Sequence, residues 1–236
     1  MKIVGLMLAS NNVERGRSYQ DMVTACKETW IASRHPDVEI IATWGNTYQP
    51  YITNNMKEGE YILTQDNDLL IQTEEARENL AIKTIRGMEC ALDRYPDLDY
   101  VFRPNCGSYV HTYLLHDFLL DKPRRGYYAG VPLESRGVNY VSGACYILSR
   151  DLVELIVENQ KYINLDGWKF MDDCSMGEFL TSQGVQVTDT KTRVCAESEE
   201  ELVSKWDDKC YHYYFCHTIN PKLIRKTHEL FTGVTA

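Results

Sequence analysis

The chain has 236 residues, 44% of them hydrophobic and 25% charged, with 14 Gly and 7 Pro, which excludes collagen-like, low-complexity and wholly disordered classes. Lys plus Arg number 25 against 34 Asp plus Glu, and the net charge of −9 argues against a nucleic acid or an anionic membrane as partner. Any phosphate must be held in a local basic pocket, and no apolar run approaches the roughly 18 residues that span a bilayer.

Strand and helix signals alternate from the N-terminus, the pattern of an α/β fold with a mostly parallel central sheet flanked by helices. Residues 3–9 form an apolar run of strand length, read as a first core strand rather than a signal sequence, and Ser10, Asn11 and Asn12 break it. A loop at that end of a strand is where open α/β sheets bind ligands. Residues 19–33 place Met22, Ala25, Cys26, Thr29 and Trp30 at helical spacing, closed by Pro36. Strands are expected over 38–44 and 61–64, and a long amphipathic helix over 73–92, with Leu80, Ile82, Ile85, Met88 and Leu92 on or near one face. Residues 99–102 read as a buried strand entering a turn at 103–108. Further strands are expected at 127–130, 140–148 and 185–188, and a helix over 151–159 with Ser149 or its neighbour as N-cap. No repeat or linker interrupts the chain, so 1–236 reads as a single domain, one unit to about 220 with a loose tail after about 231. The eight cysteines form no CxxC pair and read as free core residues.

Several segments, in order, resemble the β1,3-glycosyltransferase family that includes the Fringe N-acetylglucosaminyltransferases. Residues 26–30 (Cys-Lys-Glu-Thr-Trp) resemble the family's first-helix signature, and 78–84 (Glu-Asn-Leu-Ala-Ile-Lys-Thr) resemble its Asn-Leu-Thr-x-Lys-Thr helix. Residues 141–149 are similar to its Ser-Gly-x-x-Tyr-x-Leu-Ser strand, and 171–177 (Met-Asp-Asp-Cys-Ser-Met-Gly) to the Fringe Asp-Asp-Cys-Thr-x-Gly segment. Each motif alone is weak, and their shared order carries the resemblance. It implies a GT-A type nucleotide-sugar-binding fold, a nucleotide-sugar donor, probed first as a UDP-sugar, and a glycan or glycoconjugate acceptor. It also shows one departure. Where the family has its acidic Asp-x-Asp metal motif, this chain has Asn105, Cys106 and Gly107. Without a carboxylate that loop is a poor ligand for Mg²⁺ or Mn²⁺, so any divalent cation is expected to be weakly bound, and no metal ligand is assigned.

Sugar transfer from a nucleotide diphosphate needs a base for the acceptor hydroxyl and positive charge for the departing diphosphate. Asp172 and Asp173 suit the first task, because adjacent carboxylates near Trp168, Phe170 and Met171 raise each other's pKa. The resemblance assigns the base to Asp173 and an orienting role to Asp172; helix capping is the alternative, and the two are compatible. Arg103 is the first candidate for the diphosphate, followed by Lys83 and His217. His217 aligns with a late family histidine that completes the metal site, against the alternative of a core-edge histidine. Lys83 has the alternative of a solvated or snorkelling side chain. Ser10, Asn11 and Asn12 are candidates for base or ribose contacts, or an ordinary polar turn. Ser142 and Gly143 would let an acceptor approach the backbone, or form a bulge. Asp66-Asn67-Asp68, the only literal Asp-x-Asp, reads as loop and cap residues, and Trp44 and Trp168 as stacking platforms or core.

The leading expectation is therefore an inverting transferase with Asp173 as general base. The rival is a non-catalytic relative acting as a binding or chaperone protein, since such a family member also lacks the acidic motif. The Golgi members have a membrane anchor that this chain lacks, so a soluble, cytoplasmic protein is the expectation, with the compartment left open.

Overall fold

The computed structural model describes residues 1–14, 16–215 and 218–233. In chain order, β1 (Lys2–Leu8) leads to the hairpin β2 (Val13–Glu14) and β3 (Arg17–Ser18), then α1 (Tyr19–Cys26), β4 (Val38–Trp44), the single turn α2 (Pro50–Thr53), β5 (Tyr61–Leu63), β6 (Asp68–Ile71) and α3 (Leu80–Arg94). There follow β7 (Leu98–Pro104), β8 (Ser108–Val110), α4 (Thr112–Leu119), β9 (Tyr128–Ser135), β10 (Val138–Ser149), α5 (Arg150–Glu158) and α6 (Asp172–Ser182). The last elements are β11 (Val187–Asp189), β12 (Val194–Cys195), α7 (Glu199–Ser204), β13 (His212–Tyr214) and α8 (Pro221–Thr232).

Eight strands form the main sheet in the order β11-β9-β10-β7-β1-β4-β6-β5. Its centre is parallel: β1 lies between β4 and β7, and β6 continues beside β4. The direction changes at β10, which runs antiparallel to β7 and to its hairpin partner β9. The period-2 alternation of a strand sends Ile3 and Met7 to one face and Val4 and Leu6 to the other. On the first face they join Met22, Val23 and Trp30 from the α1 segment and Leu223 and Ile224 from α8. On the second they meet Ile85 and Met88 of α3, Leu152 and Ile156 of α5, and Met176 and Leu180 of α6. A second, small sheet has the order β12-β13-β8.

Several expectations need correction. The helix expected over 73–92 starts at Leu80 after a 3-10 turn at Arg77–Asn79. β7 runs on through Arg103 and Pro104, so the turn shrinks to the residues before Ser108. Asp68 is no loop residue: it opens β6, buried, where it pairs with Lys27 Nζ at 2.7 Å and accepts from Trp44 Nε1 at 2.9 Å. Trp44 and Trp168 are buried rather than presented to a ligand. α8 packs into the core and ends at Gly233 in the left-handed conformation. Seven described cysteines are free, six of them buried. Among the described residues no helix is long and apolar enough to cross a membrane.

Candidate active site

α6 begins at the two adjacent acids and lies tight against β10. A Cβ on Gly177 would fall 2.3 Å from the Tyr140 Cβ, so only glycine allows this approach. Asp172 is buried, and its carboxylate accepts from Arg103 Nη2 at 2.6 Å and Thr84 Oγ1 at 3.0 Å. Arg103 also donates to the Gly143 carbonyl. Asp173 takes two backbone N–H groups, Gly143 N at 2.7 Å and Cys174 N at 3.0 Å. Burial, then the neighbouring Asp172 charge, raises the Asp173 pKa above the usual carboxylate range; Arg103 and the two N–H groups oppose the rise.

These groups line a cavity of about 840 Å³ across the ends of β1, β7 and β10. It brings together Ser10, Asn12, Lys83, Arg103, Asn105, Gly143, Asp172 and Asp173. An isolated bridge from Leu8 to Asn105 closes β1 against the β7 loop. Two expected residues are not in the lining. Asn11 turns to Thr47, bonding its carbonyl at 3.0 Å and its hydroxyl at 2.7 Å. Ser142 Oγ accepts instead from Arg193 Nη1 at 2.8 Å. His217 lies outside the described residues. A Cβ on Gly143 would sit 2.9 Å from Asp173 Oδ2 and 3.2 Å from Arg103 Nη1, so the glycine leaves room for those two side chains.

Lys83 is neither solvated nor snorkelling. It is wholly buried beneath the cavity, donating to Ala9 O at 2.6 Å and Glu75 Oε1 at 2.7 Å. Burial lowers its pKa, and the Glu75 carboxylate works against that shift. Glu75 also accepts from Gly45 N at 2.6 Å, so the buried pair ties the loop before α3 to the end of β4. The sequence offered a sign of it, since Lys83 falls three residues after Leu80 on the inner stripe of α3, where a lysine needs a counter-ion. The hairpin wall was not anticipated at all. There Glu14 accepts from Tyr19 Oη at 2.7 Å and Arg77 Nη2 at 2.8 Å, and exposed Arg17 lines the cavity beside them.

The GT-A type of metal site can be tested on the donor atoms at 105–107. Asn105 Oδ1 accepts from Gly107 N at 2.9 Å. The Cys106 thiol is held neutral, burial pushing its pKa up to about 12. The adjacent carboxylate, Asp172, is neutralised by Arg103. One neutral amide oxygen already bonded to a backbone N–H, and a protonated thiol, do not fit a hard divalent cation. Among the described residues the grouping with metal-capable spacing is His35, Asp37 and His116, outside the cavity. Its two imidazoles stack at 3.9 Å and 15°, so their in-plane lone pairs do not converge on one ion.

Set against solved structures, the chain is similar over 98% of its length to the whole of a glycosyltransferase involved in glycosylation of the major capsid of PBCV-1, with a TM-score of 0.59 and 13% identity. The fold is GT-A. Looser likenesses are to the galactosyltransferase LgtC, covering 100% of this chain and 97% of that one at 13% identity and TM-score 0.46, and to a 4-diphosphocytidyl-2C-methyl-D-erythritol synthase from Anaerococcus prevotii, covering 80% and 86% at 15% and 0.47. The sequence matches no protein-family model and no curated protein. In the GT-A fold described here, the cavity sits where the parallel half of the sheet meets the β9–β10 hairpin.

Proposed function

We propose that the chain is an inverting glycosyltransferase that moves a sugar from a nucleotide-diphospho sugar to a hydroxyl of a glycan acceptor. One observation carries this reading. Of the four carboxylates lining the cavity among the described residues, Glu14, Glu75 and Asp172 are each paired with a cation, whereas Asp173 takes backbone N–H groups and has a raised pKa. It is the carboxylate best able to accept a proton. The likeness to a capsid-glycosylating transferase supports sugar transfer, and the ordered Fringe-like segments support a β1,3-type relative using a UDP-sugar.

In this reading the acceptor hydroxyl gives its proton to Asp173 as its oxygen bonds to the anomeric carbon, and the bond to the diphosphate breaks on the opposite face. The nucleoside diphosphate leaves in a single displacement. Arg103 holds Asp172 and the Gly143 carbonyl, and Gly143 N holds Asp173. Arg17 and Arg77 face the diphosphate from the hairpin side. Guanidinium groups suit that task through paired N–H bonds to phosphate oxygens.

Nucleotide release from a panel of nucleotide sugars with glycan acceptors tests the proposal. Asp173→Asn is expected to lose about 10²–10⁴-fold in turnover. The rate should also climb with pH through a pKa above the ordinary carboxylate range. Product NMR should show the anomeric configuration reversed. An Asn variant as fast as the parent, or a retained configuration, overturns the assignment.

A further inference from the structure

The turn that leads into α6 carries a residue its backbone does not favour. Met171 N donates to Trp168 O at 3.0 Å, closing a four-residue turn over 168–171. Its third residue, Phe170, has φ of 73°, while Lys169 before it is not among the positive-φ residues. That is the sign pattern of a type II turn, whose third seat suits Gly or Asn. For a bulky side chain it is an outlier.

Packing does not explain the ring either. Phe170 is 52% exposed and belongs to no core cluster, yet it lines the same cavity as Asp172 and Asp173. Its surroundings are fixed. Buried Trp168 donates through Nε1 to Glu178 at 2.9 Å, Arg136 stacks over its ring, and Asn164 links Gly167 N to Glu178. The neighbours hold the turn in a conformation that sets an aromatic ring at the cavity beside the two acids. Backbone strain of this kind persists where the surroundings over-determine it, and it marks functional positions.

We propose that Phe170 is the platform for the acceptor, a hexopyranoside that lays its apolar C–H face on the ring and turns a hydroxyl toward Asp173. The inference rests on the glycosyltransferase reading and names the acceptor side of that site. Pyranose rings with several axial C–H bonds present such a face, and the electron-rich face of an aromatic ring attracts it. The sheet order agrees. The β1 loop and hairpin bound one side of the cavity, β7 with Arg103 its middle, and β10 with α6 the other, so a donor on the β1 side leaves the Phe170 side for the acceptor.

Phe170→Asn is expected to raise the acceptor KM roughly tenfold while the donor KM moves by less than about twofold. The same variant suits the left-handed backbone, so its Tm is expected to rise by about 1–4 °C. Phe170→Trp should restore the acceptor KM to within about threefold of the parent. Saturation-transfer NMR of methyl β-hexopyranosides should show contact at ring C–H protons with the parent and none with Phe170→Asn. This readout needs no turnover. If the parent releases no nucleotide from any sugar donor but the glycoside contact depends on Phe170, the glycosyltransferase reading falls and the sugar platform stands. If the parent transfers sugar and Phe170→Asn changes neither acceptor KM nor glycoside contact, the platform is overturned.

Discussion

His212 shows how one buried group sets a response to acid. It is wholly buried, and burial, then the Arg193 charge, lowers its pKa from 6.5 to about 3. Ser108 Oγ donates to Ala144 O at 2.9 Å, so His212 Nε2 is the donor in the 3.1 Å bond to Ser108 Oγ. The unfolded histidine protonates near 6.5 and the folded one does not, so its stabilising contribution is full above that pH and is lost as pH falls toward 3. Urea denaturation between these limits is expected to show stability falling, by at most about 1.4 kcal/mol per pH unit from this group. His212→Gln should flatten that slope by up to one proton, and equal slopes would remove the assignment. At this scale the sequence was partly legible. Asp172-Asp173 stood out because adjacent acids before a helix are a local pattern. Glu75 and Arg17 did not, because their places in the cavity depend on where loops cross after folding.

Among the elements, α8 is the one whose loss should be felt furthest. Leu223 and Ile224 are wholly buried and share a core with Met22 and Trp30 of the first helical segment. Leu223→Ala is expected to cost about 2–5 kcal/mol, seen by calorimetry as a fall in Tm on the order of 10 °C. A shift below about 2 °C would mean that α8 contributes little to the cooperative unit. Its signals were present in the sequence: Asn220 caps, Pro221 takes the first helical position, apolar residues recur at 223, 224, 230 and 231, and Gly233 stops it. β4 matches its apolar run of residues, and β1 and α5 each differ by one residue at each end. α3 was anticipated too early because residues 73–79 are polar enough to extend an amphipathic pattern, yet Glu75 is drawn off to Gly45 and Lys83 before the helix begins.

At the level of the whole molecule, the proposed function asks a body of net charge −9 to receive a diphosphate. Arg17, Arg77 and Arg103 line one cavity, and on that proposal donor binding should depend on ionic strength. Raising salt from about 0.05 to 0.5 M is expected to raise the donor KM severalfold, as arginine–phosphate attraction is screened. Because the donor atoms at 105–107 do not suit a divalent cation, transfer should continue in excess chelator. Complete loss of turnover restored by Mn²⁺ would show that the side chains named here are not the charge the reaction uses. The change of strand direction at β10 has a consequence for descent. In the proposed function the donor takes the parallel half of the sheet, and the acceptor meets the β9–β10 hairpin and the segment that carries Phe170. A lineage can therefore exchange one glycan for another by remodelling a single ribbon and a single bend, while inheriting its nucleotide pocket unaltered.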